Sequence, residues 1–119
     1  MNPYWKVPVF MGKVKFSGKK IIKIDAGVIQ ALKKEASASP LERARICLTD
    51  PANTIFQEMI IALSRSCYIK PHRHLKREES LHVINGKLCV VLFNARGKVL
   101  GRILLSDNKK RGCFFCKIS

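Results

Sequence analysis

The chain has 119 residues, enough for one compact domain with a core and too few for two of ordinary size. Hydrophobic residues supply 47% and charged residues 26%, which excludes wholesale disorder, and the apolar runs reach only strand length, which excludes a helix spanning a bilayer. Twenty-three Lys and Arg against eight Asp and Glu give a formal charge of +15, which favours anionic partners.

In chain order, residues 1–20 read as an arm. It mixes Trp5, Val7, Val9, Phe10 and Phe16 with Pro3 and Pro8, and leads into a short strand near residues 13–16. Gly18 then turns the chain into residues 21–24, a second short strand expected to pair with the first as a hairpin. Asp25 is placed to cap a helix over residues 26–36, where Val28, Ile29, Leu32 and Ala36 recur at helical spacing. Ser39-Pro40 stops it, because the residue before a proline is pushed toward extended backbone.

Beyond the helix the texture changes to short apolar or alternating runs at 44–48, 56–64, 66–70, 80–85, 88–93, 98–105 and 113–118. Turn residues such as Asn85-Gly86, Asn94-Ala-Arg-Gly97 and Ser106-Asp-Asn108 separate them. Regular short strands of this kind predict a mainly β fold, a jelly-roll sheet pair with one N-terminal helix and an arm laid against it, as a single domain over 1–119.

Five cysteines at 47, 67, 89, 113 and 116 are an odd number, three of them in apolar stretches. With no secretory leader at the start, they set the expectation of a reducing cytoplasm. The basic residues are scattered and lack aromatic interleaving, so specific nucleic-acid recognition is not expected. Cys113-Phe-Phe-Cys116 has redox or zinc half-site spacing but neither a second pair nor a helix start, and reads as strand packing.

The candidate chemistry lies at residues 72–86. His72 and His74 are two apart, so on an extended segment their imidazoles share a face and can share an ion. Glu79 follows after a loop long enough to bring its carboxylate back beside them, and Gly86 stands where a tight turn would end the strand. Two histidines and a carboxylate leave coordination positions open for water or substrate. Iron, manganese, zinc and nickel all accept such donors. His82 falls on the opposite strand face from 79, 81 and 83 and reads as structural. Arg43, Arg45, Arg73 and Lys76 are candidates for an anion-binding rim, as forked guanidinium donors suit carboxylate and phosphate. Gln57 is a further polar group within a wall strand.

The spacing His72-x-His74, four residues, Glu79, six residues, Gly86 matches the first cupin motif. Together with Ser66-Cys-Tyr-Ile-Lys-Pro-His-Arg-His74 and Val91-Leu-Phe-Asn-Ala-Arg-Gly97, it resembles the WbuC-type cupin-fold metalloproteins of bacteria over roughly residues 21–106. The resemblance implies a metal-binding jelly roll, often encoded beside surface-polysaccharide genes, with an anionic sugar-derived ligand in prospect. The second cupin motif, which supplies a fourth ligand histidine, has no counterpart after Gly86. The barrel is therefore expected to be incomplete or closed differently, and its open strands set the expectation of a homodimer. Whether such a protein is an enzyme, a binding or regulatory module, or a truncated cupin without activity is open at this level, because jelly rolls host all of these.

Overall fold

A computed structural model describes residues 13–16, 21–50, 55–73, 78–108 and 110–119, the first group by backbone alone. Asp25 begins the helix as expected. Its carboxylate accepts from the Val28 amide at 2.9 Å, satisfying one of the amides that the first turn leaves unpaired. Helix α1 runs Ala26–Ala38 and stops at Ser39, whose backbone turns extended ahead of Pro40.

The chain divides into two compact units, Met1–Lys70 and Pro71–Ser119. In the first, strands β1 (Lys13–Phe16), β2 (Arg43–Cys47) and β3 (Met59–Leu63) form one sheet in the order β1-β2-β3. β2 and β3 are antiparallel, whereas β1 pairs with β2 in parallel, from Lys13↔Ala44 to Phe16↔Cys47. Residues 21–24 are not a strand, and the expected hairpin between them and 13–16 is replaced by a β1-α1-β2 crossover. Two parallel neighbours need a long connection, and α1 occupies it.

The helix packs through Leu32 and Ala36, both buried, onto Ala44, Ile46, Ile60 and Ala62. The register Ala44↔Ala62 and Ile46↔Ile60 sets those four side chains on one sheet face, with small residues letting the helix approach closely. The link from α1 to β2 turns at Glu42, whose backbone is left-handed at φ 56°. Its carbonyl accepts from the Ser64 amide at 2.9 Å and its carboxylate from the Ser66 hydroxyl, tying that turn to the end of β3. Residues 66–70, expected as a strand, are turn and coil instead. The Cys67 amide closes onto Ser64 O at 3.0 Å just after β3, and that turn takes the chain away from a ladder.

The second unit is a nested pair of ribbons. Strands β5 (Lys87–Phe93) and β6 (Val99–Ser106) form a hairpin around Asn94-Ala-Arg-Gly97, and β4 (Glu79–His82) pairs antiparallel with β7 (Phe115–Ile118) outside it. The Asn94 side chain holds the hairpin turn by accepting from the Arg96 and Lys98 amides, each at 2.9 Å. Gly86 has φ +98°, a conformation open to glycine at little cost. Its amide donates to the Asp107 carboxylate at 3.0 Å while its carbonyl accepts from the Asp107 amide at 3.0 Å, extending the β5–β6 ladder by one rung. The loop after β6 returns at Cys113, which bridges to Leu105. Gly112 precedes it at φ +89°, with Leu104 O only 3.1 Å from where a Cβ would stand.

The fold is thus mainly β with one N-terminal helix and open sheets. All five cysteines are free thiols. Among the described residues no helix is long and apolar enough to cross a membrane.

Candidate metal centre

The two neighbouring glutamates before β4 have separate fates, and the strand register decides them. Glu78 is exposed and its carboxylate lies 3.0 Å from Lys117 Nζ. Glu79, the first residue of β4, is half-buried and stands opposite Ile118. Alternation then puts Glu79 on the face that carries Leu81 and its partner Cys116, both half-buried. Burial pushes the Cys116 thiol above its ordinary range, and the proximity of Cys113 and of the Glu79 carboxylate adds in the same direction. Cys113 stands exposed at the bridge, its thiol donating to Leu104 O at 3.6 Å, whereas Cys116 is half-buried within β7, so packing applies to Cys116 alone.

His82 lies on the other face, exposed, with its ring against Phe114 at 5.7 Å and Phe115 at 6.4 Å. The strand alternation expected for 79, 81, 82 and 83 is the one observed.

His72 and Arg73 are exposed residues of the coil after Pro71. His74 and Lys76 lie outside the described residues. Among the described residues no three His, Cys, Asp or Glu side chains converge to hold an ion, and of the expected triad His72 and Glu79 are in view. The donor chemistry of the triad, two imidazoles and one carboxylate, suits a divalent transition ion.

The four basic candidates are divided between the units. Arg43 and Arg45 belong to β2, and Arg73 to the second unit. Arg45 is only 3% exposed, with Nη1 at 3.8 Å from Met59 Sδ, so its guanidinium is inside the first unit rather than on an open rim. Its charge partly offsets the effect of burial on Cys47, whose thiol is held above the ordinary range. Gln57 Oε1 accepts from the Thr49 hydroxyl at 3.1 Å and so serves the β2–β3 connection.

The residue that sequence reasoning passed over is Asp107, which holds the Gly86 turn through its side chain and main chain. Its signal was the run Ser106-Asp-Asn108, read only as a turn.

A family model described as a domain of unknown function, DUF6016, matches residues 24–105, from the residue before the helix cap through the buried Leu105 of β6. The chain belongs to this family. Searches of curated proteins and of solved structures returned no match. The matched segment of the DUF6016 chain includes α1, β2 to β5, most of β6, and His72, His74, Glu79 and Gly86.

Proposed function

We propose that this DUF6016 chain binds a divalent metal ion through His72, His74 and Glu79, and that the ion orients an anionic, sugar-derived ligand. The observation that carries the reading is the position of Glu79, half-buried at the head of β4 while Glu78 is engaged by Lys117 on the outside. Gly86, seven residues later, adopts the left-handed turn that the cupin spacing requires of a glycine. The nesting of β5–β6 inside β4–β7 is the connectivity of a folded antiparallel ribbon, the building unit of a jelly roll, and supports the resemblance to WbuC-type cupins.

In this reading the bound ion supplies a Lewis-acid centre for an oxygen of the ligand. Glu79 contributes negative charge from a partly desolvated face, where it attracts a cation more strongly than an exposed carboxylate does. Arg73, exposed beside His72, offers a forked donor to the ligand's anionic group. The protein's setting is a bacterial cytoplasm, and copies pair through the edges that the two-stranded sheets leave open among the described residues. A binding or regulatory role without turnover uses the same site, with the ion holding the 72–79 loop in place.

Elemental analysis of the purified chain tests this beside a His72→Ala/His74→Ala variant, with thermal melts before and after chelation. About one ion per parent chain is expected, lost in the variant. With the ion at ~100 times its dissociation constant, chelation removes about 2.7 kcal/mol from the parent and nothing from the variant. A well-folded parent that takes up no ion from excess zinc, iron, manganese or nickel would overturn the reading.

A further inference from the structure

The β5–β6 ribbon has two unlike faces. One carries Leu88, Val90, Leu92, Ile103 and Leu105, all buried or half-buried, and is the packed side. Strand alternation assigns the exposed Lys87, Phe93, Arg102 and Leu104 to the other face, together with the half-buried Val91 and, at the end away from the turn, the buried Ser106. A ribbon packed on one side normally turns polar residues to the other.

This one does not. Leu92 pairs with Gly101 but Phe93 with Val99, so Leu100 is an extra residue in β6. A bulge of that kind lets two successive side chains oppose one, and it leaves Val99 and Leu100 both exposed opposite Phe93. Exposure of Phe93, Val99, Leu100 and Leu104 runs from 40% at Val99 to 68% at Leu100. The charges are one-sided too: the stretch from Lys87 to Ser106 contains Lys87, Arg96, Lys98 and Arg102 and no acidic residue. All four cations are exposed.

We propose that the outward face of the β5–β6 ribbon docks on an anionic phospholipid surface, with the bulge residues entering the boundary between headgroups and acyl chains and the four cations meeting the headgroup charges. Apolar side chains on a positively charged face match that boundary on both counts. A nucleic acid would meet the cations but leave Val99, Leu100 and Leu104 in water, and Phe93 alone makes a thin stacking platform. A second copy laid face to face would bring Lys87 and Arg102 against a surface of the same sign, which is unfavourable. The inference does not depend on the metal reading.

Co-sedimentation of the full chain with vesicles tests it, comparing phosphatidylcholine alone with phosphatidylcholine containing about one third phosphatidylglycerol. Partition onto the mixed vesicles is expected to exceed that onto the neutral ones by roughly tenfold and to fall as salt is raised. Leu100→Asp/Leu104→Asp, and separately Arg96→Gln/Arg102→Gln, are each expected to lose about tenfold in partition, with melting and sedimentation velocity unchanged. If the double aspartate variant melts non-cooperatively, Leu100→Gln at the most exposed position carries the same test, with about a threefold loss. Three results would overturn the proposal: binding to anionic vesicles that survives the leucine changes, equal affinity for single-stranded RNA that those changes leave intact, or dissociation of a dimer by them.

Discussion

Leu105→Ala is expected to destabilise the second unit by about 2–5 kcal/mol, a large share of what a domain of this size possesses. Leu105 is fully buried, on the packed face of the β5–β6 ribbon opposite Leu88, and it bridges to Cys113 at the start of the return toward β7. Among the described residues of 71–119 only Leu105 and Ser106 are buried, the other apolar side chains being half-buried or exposed. The truncation therefore removes the centre of the packing and leaves a cavity with little around it to collapse inward. Leu104→Ala, one residue earlier and on the exposed face, is the matched control and is expected to stay within about 0.5 kcal/mol of the parent. Urea titration, with hydrogen exchange resolved to residues 71–119, measures both. Equal effects of the two substitutions would mean that Leu105 is not the centre of this unit.

Leu32→Ala is expected to have a comparable effect on the first unit, about 2–5 kcal/mol. Leu32 is the large side chain by which α1 holds the β2–β3 sheet, and its companions in that core, Ala36 and Ala44, are too small to substitute for it. Thermal melting followed at the helical circular-dichroism signal reads the loss. Gln30→Ala, on the exposed side of the same helix, controls for helix propensity and is expected to be neutral or slightly stabilising. A helix signal that melts at the same temperature in both variants would place the weight of the packing elsewhere.

Much of this architecture is readable in the amino-acid order where the determinants are local. Asp25, the 3.6-residue spacing of Val28, Ile29, Leu32 and Ala36, and Ser39-Pro40 locate α1 to within two residues. Asn94-Ala-Arg-Gly97 locates the β5–β6 hairpin, and alternation in β4 separates Glu79 from His82 before any coordinates are known. Partner choice was less legible. Residues 13–16 and 21–24 are near neighbours with hairpin character, yet β1 pairs with a strand beyond the helix, a tertiary preference that no short-range pattern contains. The run Leu88-Cys-Val-Val-Leu-Phe93 is apolar on both faces, so alternation could not say which face is packed, and the bulge at Leu92/Phe93 has no signature in it. Near the candidate site, the left-handed turn at Gly86 was legible from spacing. The interior position of Arg45 was not, because an arginine in an apolar strand is ordinarily read as outward.

The nesting of the two ribbons also sets an order of events during folding. Roughly thirty residues separate His82 from Phe115, and closing that span in an unstructured chain costs more conformational entropy than closing the turn between Phe93 and Val99. Once β5 and β6 have zipped, only about a dozen flexible residues remain in the path between β4 and β7, which lowers the closure cost by about 1 kcal/mol. The inner hairpin is therefore the kinetic template for the outer pair, and the head of β4, with Glu79, is among the last parts of the second unit to be fixed. Pulse-labelled amides of β5 and β6 should gain protection ahead of those of β4 and β7, and the opposite order would refute this sequence of events. In the metal-binding reading proposed above, a carboxylate ordered at the end of folding is available to meet an incoming ion before its surroundings have closed.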